Sequence, residues 1–169
     1  ELEARQKQYE YYRDELLTFG DDINVIKLDM LADVVTGSKP KTILQEKTAY
    51  EYINAGTTHS GFTHDYNSDG NAVTTPSRGQ GGIGYVGYQK NDFWLGPLCY
   101  KITTKNNSLI ITKYLYYYLQ SKRELLIKIK NRAGVPSVNK RDLIALPIYV
   151  PPLAEQERIV AILDRFDAL

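Results

Sequence analysis

The stretch LPIYVPPLAEQERIVAILDRF, Leu146–Phe166, joins an apolar strand pattern to an amphipathic helix pattern through a double proline. Pro151 and Pro152 are tolerated at a helix start, because the first N–H groups of a helix have no intrahelical partner. Glu155 and Glu157 suit the positive end of the helix dipole. A helical stripe follows, made of Ile159, Ile162, Leu163, Phe166 and Leu169. The stretch therefore predicts a strand that runs directly into an amphipathic helix.

A second amphipathic helix is predicted at the other end of the chain, over Glu1–Phe19. Its seam spans two heptads: Leu2, Tyr9 and Leu16 are seven residues apart, and Arg5, Tyr12 and Phe19 follow them by three, with Arg5 the charged exception. Gly20 is expected to end this helix. Short amphipathic helices are marginal in isolation, so each helix is expected to pack on a partner or on the core of its own domain.

Between the helices, short strand patterns alternate with turn-forming residues. The sequence predicts strands at Tyr50–Ala55 and Ala72–Thr75, a hairpin of Tyr85–Tyr88 with Phe93–Leu95, a helix at Leu109–Lys130 capped by Ser108, and a last strand at Leu143–Val150. Val25–Asp33 fits a short strand or a short helix, and Asn139 is expected to cap a short turn. The predicted fold class is therefore mixed α/β (α+β), a single globular domain with a mixed sheet, flanked by N- and C-terminal amphipathic helices of coiled-coil type.

The overall composition narrows the class of protein. The 169 residues suffice for one domain with a core and are too few for two comfortable ones. Cys99 is the single cysteine, which argues against a disulfide framework or a cysteine-based zinc site and favours a reducing, cytoplasmic setting. No apolar run approaches the roughly 20 residues that span a bilayer, and the charged first residues are unlike a signal peptide.

The net charge of +1 conceals a strong segregation of charge. Between Lys101 and Arg141 there are ten Lys or Arg and one acid, Glu124, which leaves 11 basic and 19 acidic residues for the rest of the chain. A basic block on an otherwise acidic protein is typical of a polyanion partner. A solvated helix face is the alternative, and composition alone does not separate the two.

Three motifs resemble chemical sites without completing them. Gly79–Gly84 fits G-x-G-x-x-G, but a strand pattern follows it where a dinucleotide site needs a helix, so a tight turn is predicted. Asp65–Gly70 resembles the start of a calcium loop, yet Pro76 stands where the bidentate Glu belongs, which favours an Asx-rich turn. His59 and His64 lack a third zinc ligand in sequence. We therefore predict no metal, no cofactor and no catalytic residue.

Recognition of duplex DNA requires cations for phosphates and planar hydrogen-bonding side chains for base edges. The turn Ser77–Gln80 places both kinds together, since arginine pairs with guanine and glutamine with adenine. The alternative for Arg78 is an ion pair with Asp69 or Asp92, and Tyr88 fits either base stacking or the core. The candidate DNA-binding residues are Lys39, Lys41, Ser77, Arg78, Gln80, Tyr88, Lys105, Lys130, Arg132, Ser137, Asn139 and Lys140.

Three segments resemble a known family. LPIYVPPLAEQERIVAILDRFDAL, from Leu146 onward, carries Leu-Pro-(x)3-Pro-Pro-Leu-x-Glu-Gln-x-Arg-Ile-Val and resembles the conserved helix entry of specificity subunits of Type I restriction–modification systems. ELEARQKQYEYYRDELLTF, Glu1–Phe19, is similar to the far end of the same conserved helix. NRAGVPSVNKRDLIALPI, Asn131–Ile148, is similar to the segment that closes a recognition domain in that family.

The resemblance implies a division of labour. Residues 1–19 would be part of the conserved spacer helix, 20–150 a DNA target-recognition domain that reads one half of a bipartite site, and 151–169 the start of the second conserved helix. Methyltransferase (modification) subunits would dock on the helices, and a motor/nuclease (restriction) subunit would act indirectly. The chain itself is expected to be non-catalytic. The expected helix and partner contacts are Tyr9, Tyr12, Leu16, Ile159, Leu163 and Phe166.

A full subunit of that family carries two recognition domains, whereas this sequence has one domain and two partial helices. The chain is either the second half of a full subunit or a natural half-subunit that forms a homodimer, and the incomplete last helix pattern favours the first. A protein-interaction module that uses the same helices and basic patch without binding DNA is the alternative function. An enzyme with an unrecognised site is the third possibility.

Overall fold

The computed structural model describes residues 1–47 and 49–168, in which two helices bracket a domain of short strands and helices. The helices are α1 Leu2–Leu16, α2 Leu28–Leu31, α3 Thr112–Ser121, α4 Arg123–Lys128, α5 Lys140–Ile144 and α6 Leu153–Asp167. The strands are β1 Asn24–Lys27, β2 Ala32–Thr36, β3 Tyr50–Ile53, β4 Phe62–Thr63, β5 Ala72–Pro76, β6 Gly87–Gln89, β7 Trp94–Leu95, β8 Cys99–Thr104 and β9 Pro147–Val150. Leu169, the last residue of the predicted helical stripe, lies outside the described residues.

The four-stranded sheet has the order β2-β8-β5-β6 and sets the position of the loops. Both β2 and β5 pair antiparallel with β8, so they run parallel to each other. Thr36, the last residue of β2, pairs with Tyr100, and Pro76, the last residue of β5, pairs with Cys99. Cys99 and Tyr100 are the first residues of β8. The loops that follow β2 and β5 therefore leave the sheet at the same edge.

Two smaller sheets complete the described strands. In the order β4-β3-β7, β3 is antiparallel to β4 and parallel to β7, so this is the mixed sheet. The antiparallel pair β1 and β9 joins the chain after α1 to the strand before α6, with Asn24 opposite Val150. The predicted fold class is confirmed: helices and strands are mixed, and helices stand at both ends.

The main core lies between α3, α6 and the four-stranded sheet. Tyr114, Leu115 and Tyr117 of α3 are fully buried, and so are Ile159 and Leu163 of α6. Each such apolar side chain contributes about 1.5–3 kcal/mol by leaving water. One face of α6 therefore belongs to the core of the domain. No helix in the described ranges is long and apolar enough to cross a bilayer.

The predicted hairpin of Tyr85–Tyr88 with Phe93–Leu95 is wrong, because β6 and β7 lie in different sheets. Side-chain amide and carboxylate groups hold the later segment elsewhere. The Asn67 carboxamide donates to the Leu95 carbonyl oxygen at 3.0 Å and accepts from its N–H at 2.6 Å, while Asp92 accepts from the Gly70 N–H at 2.8 Å. These contacts span more than twenty residues, so a local strand pattern does not predict them.

The predicted helix over Leu109–Lys130 is two helices, which meet at Lys122. Ile111, rather than Ser108, is the N-cap of α3, because a distant side chain accepts its N–H. The helix at the start of the chain ends at Leu16, earlier than Phe19. The start of α3 therefore depends on a tertiary contact.

The segment before α6 also differs from the prediction. The last strand begins at Pro147 rather than Leu143, because Lys140–Ile144 forms the short helix α5. Asn139 is the N-cap residue of that helix, as predicted, although its side chain makes no capping hydrogen bond. Val25–Asp33 contains both of the structures that the sequence left open, with β1 followed by α2 and the start of β2.

Candidate nucleic-acid interface

The chain continues from β5 into a segment that is bonded through its backbone on both sides. On one side, the Ser77 N–H donates to the carbonyl of Leu98 at 3.0 Å. On the other side, the Gly79 N–H donates to the carbonyl of Pro136 at 2.9 Å, and the Val138 N–H donates to the carbonyl of Ser77 at 2.8 Å. Two loops that are about 60 residues apart in sequence are thus fixed side by side.

The second loop is itself closed by backbone hydrogen bonds. The Asn131 N–H donates to the carbonyl of Ser137 at 2.7 Å, and the Ser137 N–H returns a bond to Asn131 at 3.1 Å. The Tyr100 hydroxyl donates to the Val138 carbonyl at 2.7 Å and so ties this loop to β8. We call this bonded set the loop platform; its members are Ser77–Gly79, Leu98, Asn131 and Pro136–Val138.

Ser77, a predicted DNA-binding residue, is buried, but other polar side chains on and beside the loop platform are available to a ligand. Arg78 and Gln80 are exposed, and within residues 1–47 and 49–168 neither side chain makes a hydrogen bond or an ion pair. The proposed structural pairing of Arg78 with Asp69 or Asp92 is therefore not formed there. Ser137 is half-buried, and its hydroxyl likewise has no partner in the described part of the chain. These groups can donate to base edges or phosphates without breaking a contact.

The glycines of the Ser77–Gly84 segment form the tight turn that the sequence predicts. Gly79 has φ +133°, a backbone conformation that L side chains rarely adopt, and residues 80–84 are a turn that leads to β6. No helix follows this segment until α3, so the geometry of a dinucleotide site is missing from the described chain.

Lys39 and Lys41 stand on the loop that leaves the same edge of the sheet after β2. Gly37 and Ser38 donate their N–H groups to the carbonyls of Gly96 and Leu95, at 3.0 and 3.1 Å. A Cβ at Gly37 would lie 1.9 Å from the Leu95 oxygen, so this approach requires glycine. Both lysines are exposed and, among the described residues, carry no ion pair.

Four further predicted residues follow or precede the second loop. Lys130 is half-buried and Arg132 is exposed, on either side of Asn131. Asn139 and Lys140 are exposed at the start of α5, immediately after Val138. None of these four side chains takes part in an ion pair within the ranges that the structure describes. They extend the polar and basic surface around the loop platform.

Tyr88 and Lys105 lie apart from this surface. Tyr88 pairs with Val73 near the start of β5, its hydroxyl donates to Asn71 at 2.6 Å, and its ring faces the Lys113 ammonium at 5.3 Å. Lys105 follows the opposite end of β8 and donates to the Asp29 carbonyl at 2.6 Å. Of the predicted DNA-binding residues, these two are not brought together with Arg78, because both stand towards the other edge of the sheet.

The terminal helices pack antiparallel along an aromatic seam. Phe166 stacks on Tyr12 at a centroid distance of 5.8 Å and meets the edge of Tyr9 at 6.2 Å, while Phe19, just after α1, stacks on Tyr149, just before α6. Tyr12 is 41% exposed, so the seam is open to a further partner.

The other predicted interface residues have different surroundings. Leu16 is half-buried against the core, and Ile159 and Leu163 are fully buried in it. A subunit that docks on the helices therefore cannot touch Ile159 or Leu163, and their expected partner contact is corrected: they serve the core of their own domain. The sequence had left this alternative open.

Helix α6 is fixed to α3 by partly buried polar contacts as well. The Tyr117 hydroxyl lies 2.6 Å from Asp164 and 2.8 Å from Asp167, and Lys113 forms an ion pair with Asp164 at 2.9 Å. Burial and the two carboxylates raise the pKa of Tyr117 well above its usual value, so the hydroxyl stays a donor at neutral pH. The direction of α6 is thus set by its contacts with α3.

Sequence reasoning missed Gln156, which is fully buried at the start of α6. Its carbonyl oxygen accepts the Ile111 N–H at 2.9 Å, and its NH2 group donates to the carbonyls of Leu109 and Pro151 at 3.0 and 2.8 Å. We call these four residues the helix joint. The available signal was position, since Gln156 stands three residues before Ile159 on the buried stripe of the helix.

The other motifs noted in the sequence form no metal site among the described residues. The Asp65–Gly70 segment contains an Asx contact, from the Tyr66 N–H to the Asp65 carboxylate at 3.1 Å, and is held to β7 by Asn67. The described residues contain no cluster of three or more His, Cys, Asp or Glu side chains able to hold a metal ion. Burial raises the pKa of Cys99 to about 12, so this thiol is neutral and unreactive at pH 7.

Comparison with known proteins identifies the family of this chain. A family model described as "Type I restriction modification DNA specificity domain" matches residues 20–169, which is nearly the whole chain. The chain belongs to this family. The predicted resemblance is confirmed, and the strands, the loop platform and helix α6 all lie within the matched range.

Individual relatives agree with this assignment. The chain is 28% identical over 192 aligned positions to the EcoR124I/EcoR124II specificity subunit of Escherichia coli, covering 100% of this chain and 47% of that protein. The S subunit of a Type I system from M. genitalium superposes with a TM-score of 0.78 at 25% identity, covering 90% of this chain and 41% of its own. The HsdS subunit from Thermoanaerobacter tengcongensis has a TM-score of 0.69 at 20% identity, covering 99% and 45%. The chain thus spans less than half of each of these proteins.

Proposed function

We propose that this chain is a DNA target-recognition domain that reads one half of a bipartite site for a Type I restriction–modification complex. The observation that carries the proposal is the loop platform, in which backbone hydrogen bonds fix two distant loops while Arg78 and Gln80 stay exposed and unbonded. Membership of the specificity-domain family supports DNA as the ligand. The alternative of an interaction module that does not bind DNA is not favoured by that membership.

The side chains divide by the chemistry that they offer. Arg78, Gln80, Ser137 and Asn139 carry the donors and acceptors that base edges in the major groove require. Cations that flank the loop platform suit phosphates and set affinity and register; they are Lys39, Lys41, Lys130, Arg132 and Lys140. The positive charge of these side chains complements the negative charge of the DNA backbone.

The helices serve assembly in this proposal, with residues 1–19 and 151–169 as parts of two spacer helices and 20–150 as the recognition domain. A groove of about 430 Å³ runs beside the seam between Tyr12, Leu16, Ile162 and Phe166. Its mixture of aromatic, aliphatic and charged walls suits a methyltransferase subunit. A second recognition domain, on the same chain or on a second copy, would supply the other half-site, and the motor/nuclease subunit would bind through the methyltransferase subunits.

The test is selection from random duplex DNA by this chain mixed with its methyltransferase subunit, at physiological salt. Enrichment of one short sequence supports a domain that works singly, and two inverted half-sites at fixed spacing support a self-paired chain. Failure to enrich any sequence, alongside stable co-purification of the two proteins, contradicts DNA recognition and favours the interaction module. Methyl transfer or DNA cleavage by the chain alone would contradict the non-catalytic role.

A further inference from the structure

Two exposed apolar side chains border the basic and polar groups of the loops. Leu98 is 36% exposed and Val135 is 43% exposed. Leu98 is bonded through its carbonyl to Ser77, and Val135 immediately precedes Pro136, whose carbonyl accepts the Gly79 N–H. The backbone thus places an aliphatic residue on each side of the segment that carries Arg78.

The residues around Leu98 and Val135 indicate which kind of ligand would bind there. The Leu98 backbone is fixed a second time, by its N–H to the Asn54 carboxamide oxygen at 2.8 Å, while the residue stays partly exposed to solvent. Arg78 and Arg132 stand next to the two sites and lack carboxylate partners in the described chain. A protein surface meeting this edge would need acids to match the cations, whereas duplex DNA supplies phosphates for the arginines and an apolar group between them.

That apolar group is the 5-methyl group of thymine, which is the one aliphatic feature of the major-groove floor and distinguishes thymine from cytosine. We propose that Leu98 and Val135 determine specificity by packing against thymine methyl groups in the half-site that Arg78 and Gln80 read. The inference rests on the proposed function and extends it, because it assigns a base type to two residues that have no hydrogen-bonding side chain.

The experiment uses the sequence selected by the complex of this chain with its methyltransferase subunit. Each thymine of that sequence is replaced in turn by deoxyuridine, which removes the methyl group and leaves every hydrogen-bonding group in place. At one or two positions we expect binding to weaken about threefold to fourfold, the effect of withdrawing one methyl-sized apolar contact. The variants Leu98→Asn and Val135→Thr change polarity at nearly constant shape, and each should abolish the loss at one position.

Matched controls stand elsewhere on the surface. Leu109, 39% exposed, and Val25, 49% exposed, lie away from the loop platform, so Leu109→Asn and Val25→Thr should leave the deoxyuridine losses unchanged. The inference is overturned if the selected site contains no thymine, if no methyl group contributes, or if the losses persist in both test variants. Those results leave the proposed function intact provided that Arg78→Ala still changes the preferred sequence. A general weakening with every sequence would indicate a wedge between base steps and would also overturn it.

Discussion

The helix joint and the loop platform are both built from polar groups, yet they use them in opposite ways. At the joint, the Gln156 side chain is fully buried and every polar atom of its amide is bonded to backbone. At the platform, the backbone bonds to itself and the Arg78 and Gln80 side chains remain exposed. The helix joint fixes the position of a helix, whereas the loop platform fixes the backbone of two loops and leaves their side chains free to bind a ligand.

This difference separates two kinds of mutational effect. Removal of a buried, fully bonded side chain leaves several backbone groups without partners, so the folded state loses stability. Removal of an exposed, unbonded side chain leaves the fold unchanged and affects the ligand alone. Each of the following changes tests whether the two regions can be affected independently.

The largest expected effect belongs to Gln156→Ala. The backbone groups of Ile111, Leu109 and Pro151 would each lose the hydrogen bond to Gln156, and the free energy of unfolding should fall by about 3 kcal/mol. Urea denaturation followed by circular dichroism measures it. The exposed neighbour Glu157→Ala is the control and should change stability by less than about 0.5 kcal/mol. Equal stability of the two variants would mean that the joint does not hold the helix.

Arg78→Ala should have the converse profile. We expect an unchanged urea midpoint together with a loss of about 2 kcal/mol in DNA binding, confined to one base position of the half-site. Fluorescence anisotropy with the selected duplex and its single-base variants separates the two quantities. Arg5→Ala, on the exposed face of α1, is the control. Unaltered affinity and base preference in the Arg78 variant would remove this residue from the proposed readout.

Lys130→Ala sharpens the division between phosphate and base contacts. Binding should weaken by a similar factor for every sequence, and the slope of log K against log salt should decrease in magnitude by about 1. Lys105→Ala is the matched comparison, since Lys105 stands at the opposite edge of the sheet and donates to the Asp29 carbonyl. A base-specific effect at Lys130, or a reduced slope for Lys105, would show that the DNA lies elsewhere on the domain.

The smallest effect is expected at the surface of α6, where Arg158 forms a bidentate pair with Glu155 at 2.6 and 2.8 Å. This pair lowers the pKa of Glu155 from its usual 4.5. Its contribution is therefore present above pH 4.5 and is lost as the pH falls through the lowered pKa. The urea midpoint of Arg158→Ala should lie slightly below that of the wild type at pH 7, and the difference should shrink as the pH falls below 4.5. A larger gap at low pH would contradict this account.

The sequence predicted those parts of the fold that follow from local chemistry. The 3.6-residue stripe through Ile159 and Leu163 and the prolines at 151 and 152 predicted α6, and the glycines of the 79–84 segment predicted a turn. It did not predict the separation of β6 from β7, because that depends on the Asn67 carboxamide bonding to Leu95, 28 residues away. Contacts between residues so far apart in the sequence produce no periodic pattern from which they could be predicted.

The candidate site was predicted in a similar, partial way. Residue chemistry identified Arg78, Gln80 and Ser137, and the structure brings their two loops into contact. Tyr88 and Lys105 have equally suitable side chains but stand towards the other edge of the sheet, which only strand order reveals. Gln156 was overlooked because one glutamine on a helix has no distinctive composition, although its place on the apolar stripe was visible.

The backbone bonding of the loop platform has a consequence for evolution. Every non-proline residue supplies the same N–H and C=O groups, so the backbone bonds at positions 98, 131 and 137, whose side chains are not buried, do not depend on which side chain each position carries. New combinations of side chains can therefore appear there while the frame that holds them is inherited unchanged. A lineage under pressure to alter its DNA target can explore alternatives by point substitution, without first acquiring stabilising changes elsewhere.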